Sequence, residues 1–293
     1  VKDDDTITYF LKNHKKKPQN LVVFIQGTDA NPIFSYSKEN ETIDYYRWFG
    51  DDFDHLDSTY AFAIIPKPGM EGIYENGQIE VPKEYYEKNH LDYRVKQLDE
   101  SIKDIISNHI ENPTKIIVYG HSEGAAIGAA LASKNKQITH LGFWSGNVLN
   151  NFYEFSLFNR IESLEGKISD EKAHENIKGI LNWYKEVVKN PNQTELDHFG
   201  FTNKRWSSYE RAPMDYLLDL DIPIYALFGT EDESTPIETA YLLPIKFIEH
   251  RKENLTFEVC IGCNHSYQKQ TEKGEESLWI EEFNKFIKWC ESK

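Results

Sequence analysis

Positive charge is scarce in this chain: 33 lysines and arginines stand against 48 aspartates and glutamates, a formal net charge of -15 over 293 residues. So negative a surface repels phosphate backbones and anionic lipid headgroups, which excludes nucleic-acid binding. Long apolar runs are also missing. The longest stretch of small or apolar residues, Ala125 to Ala132, is far below the ~20 residues that span a bilayer, so no membrane span is expected. The chain opens Val1-Lys2-Asp3-Asp4-Asp5, with neither an initiator Met nor an apolar signal core. A targeting segment is therefore expected to have been removed or omitted. The compartment stays open: the cytoplasm is favoured, and a mature secreted form is compatible with this start.

Cysteine is sparse too. Cys260, Cys263 and Cys290 are too few for a disulfide scaffold in a chain of this size. A Cys3His zinc set of Cys260, Cys263, His265 and Cys290 lacks the second close pair that makes such a motif specific, so no metal is expected. Cys260 should end a strand while Cys290 lies deep in a returning helix, roughly 22 Å away at 1.5 Å per residue. A bridge between those two is not expected.

What is present fits a folded protein. Hydrophobic residues make up 39% and charged residues 28%, outside the range of disordered chains. Aromatics at 14% hint at a lined pocket. The length suits one large α/β domain with an insertion, or two ordinary domains.

Short β-branched or aromatic runs alternate with helical periodicity, the pattern of a mostly parallel sheet flanked by helices. Strands are expected at Thr6 to Leu11, Leu21 to Gln26, Tyr60 to Ile65, Lys115 to Tyr119, Ile138 to Trp144, Ile222 to Phe228 and Leu255 to Ile261. Several are apolar throughout, so burial on both faces is expected. Leu91, Val95, Leu98, Ile102, Ile105 and Ile106 predict one long amphipathic helix, and Leu278, Ile280, Phe283, Phe286, Ile287 and Trp289 predict another at the end. The alternation stops after Trp144-Ser145-Gly146-Asn147, and Asp221-Ile222-Pro223 restarts it. Residues 147–219 are accordingly expected to form a helical cap inserted into a core made of 1–146 and 220–293.

Gly120-His121-Ser122-Glu123-Gly124 sits between an expected strand and the small-residue helix Ala125 to Ser133. In that strand-turn-helix setting a G-x-S-x-G pentapeptide holds its serine at the apex of a sharp turn, above the sheet edge. The helix N-terminus behind it favours a developing oxyanion. Ser122 is the expected nucleophile, and a serine needs a base oriented by a carboxylate. His265 lies in Gly262-Cys263-Asn264-His265-Ser266, directly after a strand and ahead of the last helix. The acid is expected in Phe228-Gly229-Thr230-Glu231-Asp232-Glu233-Ser234-Thr235-Pro236. Asp232 is preferred there, because a short carboxylate can be held by the turn, while Glu231 and Glu233 point to solvent. The backbone amides of Glu123 and of Thr28, in the turn Gln26-Gly27-Thr28-Asp29, are the expected oxyanion donors.

These features together resemble the α/β-hydrolase superfamily. The likeness rests on the serine pentapeptide, the turn Gln26-Gly27-Thr28, the acid loop Gly229-x-x-Asp232-x-x-x-Pro236 and His265 before the last helix. One departure is Gln26, where many members carry histidine. The resemblance implies a Ser-His-Asp hydrolase with a cap after the sixth family strand, acting through an acyl-enzyme and requiring no cofactor. His265 would take the serine proton and return it to the leaving alcohol, with Asp232 holding the imidazole tautomer.

The favoured substrate is a small-molecule ester, partly apolar or aromatic. An amidase or serine peptidase with the same triad is the nearest alternative, and a silent binding protein on this fold is a weaker one. Tyr74, Trp144, Trp206 and Tyr209 are candidate pocket aromatics, with packing of the cap interior as the competing explanation. Oligomeric state leaves no sequence signal.

Overall fold

The computed structural model describes residues 6–13, 17–45, 48–75 and 79–293. Residues 1–5, assigned above to the core segment, lie outside the described residues. The chain opens with β1 (Phe10–Asn13) and β2 (Asn20–Ile25), then makes two short strands, β3 (Phe34–Ser37) and β4 (Thr42–Tyr45). After β5 (Tyr60–Ile64) and β6 (Ile73–Glu75), helices α1 (Lys83–Lys88) and α2 (Leu91–Asn108) lead into β7 (Lys115–His121). Next come α3 (Glu123–Lys134) and β8 (His140–Trp144). An excursion of helices follows: α4 (Asn151–Leu164), α5 (Asp170–Lys189), α6 (Asn203–Ser208) and α7 (Pro213–Leu218). The sheet resumes with β9 (Ile224–Gly229), α8 (Ile237–Ala240), α9 (Leu242–Glu249) and β10 (Leu255–Cys260). The hairpin β11 (Gln268–Thr271) and β12 (Gly274–Ser277) precedes the final helix α10 (Trp279–Ser292).

The main sheet has the order β1-β5-β2-β7-β8-β9-β10. Its first strand is antiparallel to β5 and every other neighbouring pair is parallel. Each strand expected from the sequence belongs to this sheet, with the first displaced from Thr6–Leu11 to Phe10–Asn13. The strands that sequence reading missed are β3, β4 and β6, which form a small sheet of their own, and the β11–β12 pair. Their reason is physical. Gln268–Thr271 and Gly274–Ser277 are polar throughout, so no hydrophobic period marks them, while β3, β4 and β6 are only three or four residues long, too short for an alternation to stand out.

Burial on both faces follows from the pleat, which sends alternate side chains to opposite sides. Leu21, Val23 and Ile25 of β2 pack into a cluster with Leu98 and Ile102 of α2 and Ile127 and Leu131 of α3. Val22 and Phe24 face the other way, toward Trp144 and toward Trp279, Phe283 and Phe286 of α10. The helical excursion carries a third cluster, built on Phe152, Val187 and Trp206. Cys260 and Cys263 are joined by a disulfide with Cα atoms 5.4 Å apart, and Cys290 is free and buried. The spacing that suggested half a metal site is thus closed as a bridge at the end of β10, which the sequence reading had not anticipated.

Candidate active site

Ser122 stands between β7 and α3 at φ 59° and ψ -127°, angles that strain an L-residue by about 1–3 kcal/mol. The turn closes this tightly because its neighbours lack side chains. A Cβ on Gly120 would sit 2.0 Å from the Gly124 carbonyl oxygen, and one on Gly124 would sit 2.1 Å from the Ile25 carbonyl oxygen. Backbone bonds pin the rest: the Ser122 amide donates to the Trp144 carbonyl at 2.9 Å, and Ala125 donates to the Ser122 carbonyl at 3.0 Å.

Loops leaving the same edge of the sheet bring the other candidates. Asp232, buried in the loop after β9, accepts hydrogen bonds from the Ser234 and Thr235 amides, both at 2.8 Å, and from Thr235 Oγ1 at 2.6 Å. His265, in the loop after β10, places Nδ1 2.9 Å from Oδ1 and 2.8 Å from Oδ2 of that carboxylate. Burial pushes the Asp232 pKa up, but the contacts with His265 and Thr235 outweigh it, and the net displacement is downward. An ionised carboxylate only accepts, so Nδ1 carries the imidazole proton and Nε2 is left as the basic nitrogen.

Ser122 and His265 line one cavity of about 470 Å³. Among the described residues no hydrogen bond joins Ser122 Oγ to the imidazole, and such contacts commonly tighten only in the complex with substrate. His121, next to the serine, is buried, and its Nε2 lies 2.7 Å from the His265 carbonyl oxygen. Burial, then the nearby His265, lowers its pKa to about 3, so the ring is neutral. A carbonyl only accepts, hence the Nε2 proton points at it and the serine turn is tied to the backbone of residue 265.

Gly27 lies against the serine, since a Cβ there would meet Ser122 Cβ at 3.1 Å and the His121 carbonyl at 3.3 Å. The next residue, Thr28, and the first residue of α3, Glu123, have backbone amides with no hydrogen-bond partner among the described residues. Sequence reading gave Glu123 only an amide role. Its buried carboxylate also lies 2.8 Å from Arg205 Nη2 and 3.2 Å from Lys67 Nζ, and accepts from Tyr209 Oη at 2.7 Å. Burial raises its pKa, yet Arg205, Lys67 and the Tyr209 bond reverse this and bring it down to about 2.

Loop residues Gln26, Gly27, Thr28 and Asp29 line one side of the cavity, and Phe155, Phe201, Arg205 and Trp206 from the helical excursion line another. Of the four candidate pocket aromatics, Trp206 is among the lining residues. The other three are placed elsewhere. Trp144 is 0% exposed within the sheet core. Tyr209 turns its hydroxyl to Glu123, and Tyr74 donates to the Gly69 carbonyl at 3.1 Å. Lys67, Tyr85 and Arg205 carry no signal in the sequence, because the groups they bind are distant in the chain.

No family model and no curated protein sequence matches the chain. Solved structures do. Est1E from Butyrivibrio proteoclasticus is similar with a TM-score of 0.59 at 16% identity, over 98% of this chain and 95% of that one. The monoacylglycerol lipase of Paleococcus ferrophilus is similar with a TM-score of 0.56 at 16% identity, over 97% and 98%. The acylaminoacyl peptidase of Pyrococcus horikoshii reaches a TM-score of 0.61 at 11% identity, over 98% of this chain but 39% of that one. Strand order, the loops at one sheet edge and these neighbours agree: the chain has the α/β-hydrolase fold.

Proposed function

We propose that the chain is a serine hydrolase that cleaves a carboxylic ester through an acyl-enzyme on Ser122. The observation that carries this reading is the His265–Asp232 pair at 2.8 Å, whose imidazole lines the same cavity as the strained serine. His265 Nε2 accepts the hydroxyl proton as Oγ attacks the ester carbonyl. It returns that proton to the departing alcohol, and water repeats the cycle on the acyl-enzyme. The Thr28 and Glu123 amides receive the carbonyl oxygen as it becomes negative, where one donor is worth about 3 kcal/mol. In this reading residues 147–219 are a cap over a core of 1–146 and 220–293, and Phe155, Phe201 and Trp206 favour a substrate with an apolar or aromatic part.

Fluorophosphonate treatment followed by intact-mass analysis tests it. One adduct is expected on the wild type and none on Ser122→Ala, whose ester turnover should fall by about 10⁴-fold or more. Labelling at another residue, or equal turnover by both proteins, would overturn the assignment. A second reading, amide cleavage by the same groups, draws on the structural neighbours named as peptidases. A panel of esters and aminoacyl amides separates the two, and faster amide turnover would favour the second.

A further inference from the structure

Among the buried side chains around Glu123, positive charge outweighs negative. Lys67 and Arg94 are 0% exposed and Arg205 is 4% exposed. Glu123 is the carboxylate set against Lys67 and Arg205, while Arg94 donates to the Pro66 and Ile65 carbonyls at 2.8 and 3.2 Å and to Gln97 Oε1. Nε and Nη1 of Arg205 have no hydrogen-bond partner among the described residues. Its guanidinium lies 4.2 Å from the centroid of the Phe201 ring. A buried charge surplus is costly unless something negative offsets it.

The geometry of Lys67 shows where that charge is directed. Its ammonium donates to the Thr28 carbonyl at 2.8 Å and to Glu123 Oε2 at 3.2 Å. The Tyr85 hydroxyl donates to the same Thr28 carbonyl at 2.9 Å. Both lone pairs of that oxygen are then engaged, so the peptide after Thr28 cannot turn without breaking two bonds. The Glu123 carboxylate, in turn, binds Lys67 from one side and Arg205 and Tyr209 from the other.

We propose that Lys67 is a positioning residue for the oxyanion hole, clamping the two residues whose amides face the substrate oxygen, and that Arg205 and Tyr209 extend this clamp to the helical excursion. The inference rests on the reading of Thr28 and Glu123 as oxyanion donors. One cation tied to both residues, through the Thr28 carbonyl and the Glu123 carboxylate, limits how far the two can move apart. The surplus charge nearby favours an oxygen that becomes negative over the neutral ground-state carbonyl, which is the condition for raising kcat rather than lowering KM.

The test uses p-nitrophenyl butyrate turnover and the affinity of phenylboronic acid, which forms a tetrahedral adduct with an active serine. Lys67→Met should lower kcat about 100-fold, the cost of a comparable misplacement of catalytic groups, with KM nearly unchanged. Boronate affinity should fall in parallel, and Lys67→Arg should restore much of both. Tyr209→Phe, which removes a single hydroxyl, should show a smaller loss in the same direction, and it decides the matter if Lys67→Met does not fold. Wild-type kcat should also decline as pH rises through about 8, where burial brings the Lys67 ammonium. The groups facing it are Glu123 from α3, Arg94 from α2, Arg205 from α6 and Tyr85 from α1. In Lys67→Arg that alkaline limb should vanish.

Unchanged kcat in the variants, a loss confined to KM, or an alkaline limb that persists in Lys67→Arg would overturn the clamp and leave the hydrolase standing. A loss in KM alone would indicate instead that the cations bind an anionic part of the substrate. A wild type that neither turns over esters nor labels with fluorophosphonate would overturn the hydrolase, and the clamp with it.

Discussion

Asp232 shows how much one residue can be constrained by its surroundings. One of its oxygens takes the Ser234 and Thr235 amides, the other takes the Thr235 hydroxyl, and both lie against the His265 ring. Asparagine has nearly the same shape and can keep the two amide bonds, but its NH2 group must then face the imidazole. The ring would turn over to its other tautomer, putting a proton where a lone pair is needed. Asp232→Asn is therefore expected to lower kcat by about 10⁴-fold while the thermal midpoint changes little. Calorimetry beside steady-state kinetics checks both halves. At this scale the placement of Ser122, Asp232 and His265 on loops leaving one sheet edge was legible, because turn chemistry and strand ends restrict where such groups can stand. Trp144 was misread for the opposite reason, since a large aromatic at a strand end signals bulk without saying whether it faces a cavity or the core. Lys67 left no signal, because its partners lie 39 and 56 positions away.

Among the elements, the contact between β2, β7 and α3 is the most exacting. Gly124 lets the first turn of α3 pass over the end of β2, and an added methyl would meet backbone oxygen at 2.1 Å. Backbone cannot step aside as a side chain can, so Gly124→Ala is expected to destabilise the protein by about 3 kcal/mol and to disturb the serine turn. Gly179 provides the contrast. It lies within α5, and a Cβ there would meet nothing within 4 Å, so Gly179→Ala should stabilise by roughly 0.5–1 kcal/mol through helix propensity. Denaturant midpoints of the two variants should move in opposite directions. Buried strands and amphipathic helices were readable because their hydrophobic period is their reason for existing. The β11–β12 hairpin was not, because its side chains are polar and only backbone pairing defines it, and the strands of the small sheet were too short to show a period.

Across the molecule, stability depends on two acids that the fold keeps protonated. Asp52, 0% exposed, accepts from Trp279 Nε1 at 2.7 Å and meets the Tyr119 hydroxyl. Burial raises its pKa to about 8 despite those bonds, and burial likewise raises Glu154 to about 7. The unfolded chain releases these protons near pH 4, whereas the folded chain keeps them. Their contribution is thus complete below the unfolded values and is lost as pH rises toward 7 and 8. Glu123 and Asp232 are displaced downward, so their contribution is present above the unfolded range and disappears as pH falls through it. The thermal midpoint is expected to fall by several degrees between pH 5 and pH 8, and Asp52→Asn with Glu154→Gln should flatten that slope. Scanning calorimetry across this range is the check, and an unchanged slope in the double variant would contradict the assignment.

The aromatic cluster of the helical excursion has one further consequence for the molecule as a whole. Phe152, Val187 and Trp206 form a small cluster of their own, while Tyr209, Met214 and Leu217 of the same excursion pack into the cluster shared by β2, α2 and α3. A segment packed into the core at one end and carrying its own cluster at the other can open locally at the aromatic end while the packed end holds, so that local opening is expected to cost less than global unfolding. Under the proposed function, substitutions among Phe152, Val187 and Trp206 would then retune which substrates are admitted while the sheet hardly changes.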